Sequence, residues 1–66
     1  MQATELRDRR QALGLSVAEL AARFDVLPST VYRWEAGDGP PKGIASVGVD
    51  LVLRRLESQK RRERRP

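Results

Sequence analysis

The chain has 66 residues, 13 Lys or Arg against 9 Asp or Glu, and neither cysteine nor histidine. This length holds one domain, and a chain so small buries only about 60% of the surface its unfolded form exposes, so its core must be compact or completed by a partner. The missing Cys and His exclude a disulfide framework, Cys/His zinc sites, thiol redox chemistry and Ser-His or Cys-His nucleophile pairs, and no apolar run is long enough for a signal peptide or a transmembrane helix.

Along the chain, Thr4 is placed to cap a first helix, with Glu5 in its first turn, where negative charge suits the dipole. Leu6 and Leu13 lie seven apart on one face with Arg10 between them, and Gly14 reads as the residue past the helix end, free to turn left-handed. The first helix is therefore predicted over Glu5–Leu13. The strongest start signal follows. Ser16-Val17-Ala18-Glu19 is a capping box, and Leu15 and Leu20 stand where a hydrophobic staple belongs. Leu20, Ala21 and Phe24 share an apolar face at helical spacing, which predicts a second helix over residues 17–24.

Asp25-Val26-Leu27-Pro28 interrupts that pattern. Asp is a residue type that tolerates the left-handed region, and Pro28 suits the first position of a new helix, where its missing amide costs nothing. Val31 and Trp34 mark the buried side of this third helix, residues 28–36, and Gly37 ends it. A tight turn over Asp25–Leu27 between two short helices is a helix-turn-helix arrangement.

Beyond Pro41, the residues Ile44, Val47, Val49, Leu51, Val52, Leu53 and Leu56 are too many for one face of one helix. They predict a helix over Ala45–Gln59 with one face completing the core and a second meeting a partner, so that a homodimer through this C-terminal helix is expected. The alternative is a thin monomer whose Val and Leu residues all pack internally. The domain is read as residues 1–59, followed by a basic tail over 60–66 that is disordered or frayed. From Met1 to Leu53 there are six basic and seven acidic residues, a net of −1; from Arg54 to Pro66 there are seven and two, a net of +5. Eleven of the thirteen cations are Arg, the side chain best shaped for phosphate. The tail is either solvated or a nucleic-acid contact.

Residues Leu6 to Lys42 resemble the Cro/repressor type of helix-turn-helix. The resemblance is carried by Leu6, Arg7 and Arg10; by Gly14-Leu15-Ser16 and Glu19-Leu20-Ala21; by Val26; by Pro28-Ser29-Thr30-Val31 and Arg33-Trp34-Glu35; and by Gly37 and Pro40. It implies an all-α, lambda-repressor-like fold of four or five helices, with Ala21 small where helices two and three cross and with Leu20, Phe24, Val26, Val31 and Trp34 filling the wedge between them. The implied function is a sequence-specific double-stranded DNA-binding transcription regulator, a repressor in the cytoplasm of a bacterial or phage-infected cell. Its third helix would enter the major groove N-terminus first.

The resemblance also implies roles. Ser29, Tyr32 and Arg33 face outward to base edges, with Arg33 able to pair bidentately with guanine, and Leu27 and Pro28 stand at the tip. The family usually has Gly where Asp25 stands and a small polar cap where Leu27 stands. Leu27 therefore either touches a thymine methyl or packs inward. Ser16, Val17, Pro28 and Lys42 are implied backbone contacts, Val17 standing where many relatives carry a phosphate-clamping Gln. Arg23 is a further backbone contact or simply solvated. Arg10 and Glu35 are implied to form a partly buried ion pair joining helix one to helix three. Neither cofactor, metal, membrane nor small-molecule substrate is expected, and an enzyme is not: no base or metal constellation surrounds the Ser, Tyr and carboxylates, and there is hardly room for a pocket of several hundred Å³. A second function class stays open, an antitoxin or phage protein whose main role is to bind a toxin or host polymerase, because fold does not fix function.

Overall fold

Local start and stop signals set the two central helices. The computed structural model describes residues 1–63, in which the helices are α1 (Ala3–Ala12), α2 (Val17–Phe24), α3 (Pro28–Ala36) and α4 (Ile44–Glu63). At the start of α2 the Glu19 amide donates to Ser16 Oγ at 3.0 Å and the Ser16 amide donates to Glu19 Oε1 at 2.9 Å, so both halves of the capping box are made. Asp25 closes α2 at φ 58°, in the left-handed region, and Pro28 opens α3. Gly14, at φ 71°, turns the chain from α1 into α2.

The outer helices differ from expectation at their ends. α1 starts at Ala3, not Glu5; Gln2 is at the cap position without a side-chain cap, and Thr4 lies inside the helix. Tertiary contact replaces the cap. Gly39, at φ +92°, approaches so closely that a Cβ there would stand 2.5 Å from the Met1 carbonyl oxygen, and the Met1 ammonium donates to Ser46 Oγ at 3.3 Å. α4 starts at Ile44 and continues to Glu63, four residues past the expected end, so Lys60 to Glu63 are helical rather than frayed. The extension rests on α1: the Lys60 ammonium donates to the Ala12 carbonyl, one of the groups a helix C-terminus leaves without an internal partner. Of the basic tail, residues 64–66 lie outside the described residues.

The core is Leu6, Val17, Leu20, Ala21, Val31, Val49 and Leu53, with Met1, Leu13, Leu15, Phe24, Val26, Trp34 and Leu56 packed against it. Each fully buried Leu or Val contributes roughly 1.5–3 kcal/mol. Between α2 and α3 the Phe24 and Trp34 rings lie 6.2 Å apart and tilted at 52°, a favourable aromatic geometry. α4 turns Val49 and Leu53 inward but leaves Ile44, Val47 and Leu51 in solvent, Ile44 at 92% exposure. The monomer in which every Val and Leu packs internally is therefore not what forms; one face of a straight helix cannot bury residues spread around most of its circumference.

Candidate nucleic-acid interface

α3 sorts its residues by helical period. Val31 is buried and Trp34 and Glu35 are half-buried, whereas Ser29, Tyr32, Arg33 and Ala36 follow the spacing of an opposite face and are exposed, Tyr32 at 62%. Pro28 and Leu27 stand exposed at the tip of that face. Leu27 is 71% exposed, which overturns the inward-packing alternative. The reason is local: Leu27 has the extended backbone of an N-cap (φ −71°, ψ 147°), in which neighbouring side chains alternate, and Val26 takes the inward direction. Leu27 offers α3 no side-chain cap, so the first turn relies on Pro28 and on the Thr30 amide donating to the Leu27 carbonyl at 2.9 Å.

The angle of α3 is held from α1. Arg10 Nε donates to Glu35 Oε2 at 2.7 Å and its Nη2 to Glu35 Oε1 at 3.0 Å, while Nη1 reaches the Leu15 carbonyl at 3.0 Å. One guanidinium thus ties α1, the start of α2 and α3 together. The side chains of Arg10 and Glu35 are only 14% and 10% exposed, and the Glu35 hydrogen bond raises the Arg10 pKa, keeping that guanidinium firmly charged.

At the start of α2, Ser16 is exposed but the Val17 side chain is buried in the core. Val17 can therefore offer only its backbone. Its amide and that of Ala18 belong to the first turn and have no helical carbonyl to donate to. The Ser16 amide holds Glu19 ionised, with its carboxyl below the usual range, so part of the positive helix end is already used. Lys42 is exposed in the segment joining α3 to α4. Arg23, in the last turn of α2, is exposed and lines a cleft with Leu15, Gln59 and Lys60. On its other side it lines a second cleft with Phe24, Val26 and Trp34.

Sequence reasoning missed Arg9. Its Nε and Nη2 donate to the two Glu57 oxygens at 2.9 and 2.8 Å, and its Nη1 to Asp50 at 2.8 Å and Glu5 at 3.2 Å. The Glu57 hydrogen bonds raise the Arg9 pKa, and Arg9 holds the Glu57 and Asp50 carboxyls below their usual range. Glu5 and Arg9 at i,i+4 were visible as a helix pair; the α4 partners were not, because only the packing of α4 on α1 brings them near.

Among the described residues no group of His, Cys, Asp and Glu is placed to hold a metal, and no helix is long and apolar enough to cross a membrane. A family model described as a helix-turn-helix domain matches residues 3–56. No curated protein and no solved structure matches the chain.

Proposed function

We propose that this chain, which belongs to the helix-turn-helix domain family, is a sequence-specific duplex-DNA-binding transcription regulator of the Cro/repressor type, acting as a repressor in a bacterial or phage-infected cell. The observation that carries the reading is the uncommitted face of α3. Ser29, Tyr32 and Arg33 are exposed side by side, and none of them hydrogen-bonds to another side chain among the described residues. Meanwhile Val31, Trp34 and the Arg10–Glu35 pair hold the same helix from behind.

In this reading α3 enters the major groove by its N-terminus. Arg33 forks onto a guanine edge, Tyr32 meets a thymine methyl or a phosphate, Ser29 meets a base or phosphate, and Leu27 lies on a thymine methyl. Ser16, the Val17 amide, Pro28, Lys42 and Arg23 lie along the sugar-phosphate backbone. The exposed residues Ile44, Val47 and Leu51, spaced three and four apart on α4, are the surface for a second copy, whose recognition helix would read the other half of an inverted repeat about one helical turn away.

Binding-site selection on the parent and two variants tests this. Arg33→Ala loses preference at one base pair per half-site, a G·C pair, by roughly 1–3 kcal/mol. Lys42→Ala weakens binding without changing preference. Selection of the parental sequences by Arg33→Ala removes Arg33 as a base reader. A parent that selects nothing moves the protein-partner reading ahead.

A further inference from the structure

The outward stripe of α4 changes character half-way along. Its first half is Ile44, Val47 and Leu51, and the same stripe continues at helical spacing into Arg55, Ser58 and Arg62, with Arg61 beside them. Arg55, Arg61 and Arg62 are exposed. Arg54, also exposed, is paired with Asp50 of its own helix at 2.9 Å, and Lys60 caps α1, so these three are the arginines of the cluster with no ion pair among the described residues.

Two observations give this cluster a partner. The first is charge. Residues Met1 to Leu53, which contain the whole helix-turn-helix, carry a net of −1, whereas Arg54 to Glu63 hold five basic residues against two acidic. A duplex presents one negative charge per roughly 1.7 Å of axis, and association is driven by releasing its counterions. The body that carries α3 has no net cationic charge with which to do so; the end of α4 has. The second is position. α4 runs alongside α1 in the same direction, with Ser46 at Met1, Glu57 at Arg9 and Lys60 at Ala12. Its basic end therefore lies at the corner where α1 turns into α2. There Lys60 and Arg61 line one cleft with Ala12, Leu13 and Glu57, and Lys60 and Glu63 line another with Leu15 and Arg23. Ser16 and the free amides of α2 follow Leu15 directly.

From these we infer that the last turns of α4 are a second DNA-contact surface: Arg55, Arg61 and Arg62 hold the sugar-phosphate backbone outside the base pairs that α3 reads. The inference rests on the DNA-binding reading of α3. It assigns α4 two lengthwise roles, an apolar half for a second copy and an arginine half for phosphate. Arginine suits the second role because its planar fork meets phosphate oxygens bidentately and stays charged at every working pH.

The test is the salt dependence of binding to the selected duplex and to an unrelated one, for the parent, for Arg55→Gln/Arg61→Gln/Arg62→Gln, and for the matching triple Lys variant. Each phosphate contact contributes about 0.9 to the slope of log affinity against log salt. The Gln variant is expected to lose roughly 2–3 from the slope on both duplexes, to keep the parental sequence preference and melting temperature, and to be largely restored by Lys. A Gln variant with the parental slope overturns the inference and leaves α3 untouched. The same holds if the parent binds phosphatidylserine vesicles through these arginines while the duplex slope stays constant. A parent that binds no duplex removes the reading of α3 and this inference together.

Discussion

α2 and α1 are neighbouring short helices held to the rest of the molecule in different ways. α2 puts Val17, Leu20 and Ala21 into the core in eight residues and packs Phe24 on Trp34. α1 has ten residues and buries only Leu6 completely. What fixes α1 are two consecutive arginines, Arg9 to Glu57 and Asp50 on α4 and Arg10 to Glu35 on α3. Apolar burial is non-directional and tolerates sliding, whereas a bidentate fork sets one angle and one register. The wedge of α2 and α3 supplies cohesion, and the arginines of α1 orient α3 and α4 around it.

Leu20→Ala should separate these contributions most strongly. Leu20 is completely buried, and large-to-small changes at such positions cost about 2–5 kcal/mol, which is comparable to the whole stability of a domain this small. Urea titration followed by circular dichroism should show a largely unfolded variant at room temperature. A well-folded Leu20→Ala protein would mean that the wedge is not the source of cohesion.

Arg10→Met is expected next, at on the order of 3 kcal/mol, because it strands the largely buried Glu35 side chain without its partner. The melting temperature should fall clearly, and adding Glu35→Leu should recover most of the loss. If the double variant is no better than the single, the cost lies in the lost Arg10 packing rather than in the stranded charge.

Arg9→Met should have the smallest effect, about 1 kcal/mol, since its α4 partners are a quarter to a third exposed, Glu5 is more so, and solvent screens them. Its signature is the pH dependence. Arg9 depresses the folded pKa of Glu57 and Asp50, so the stabilisation is complete above their ordinary values near pH 4 and is lost as pH falls through the lower folded ones. The difference in melting temperature between parent and variant should therefore be present at neutral pH and shrink in acid and in high salt. A difference of the same size in acid as at neutral pH would show that Arg9 acts through its alkyl packing.

What the sequence determined by itself lies within a few residues of its own signal. The capping box at Ser16 and Glu19, the left-handed turns at Gly14 and Asp25, the start at Pro28 and the inward period of Leu20, Val31 and Trp34 are all interactions spanning four residues or fewer, or a periodicity imposed by the helix itself. The juxtaposition of Arg10 and Glu35 came only from resemblance to a family. Tertiary structure alone decided the rest. Gly39 packed on Met1–Ala3 moved the start of α1 forward, and Lys60 on Ala12 carried α4 to Glu63. Arg9 found carboxylates 41 and 48 residues away. Leu27 was left outside because Val26 had taken the inward direction, and the stripe from Ile44 to Leu51 because Val49 and Leu53 had taken the inner face of α4. Local signals are legible because backbone geometry fixes the distance between near neighbours; two charges on separate helices meet only once apolar packing has placed those helices side by side.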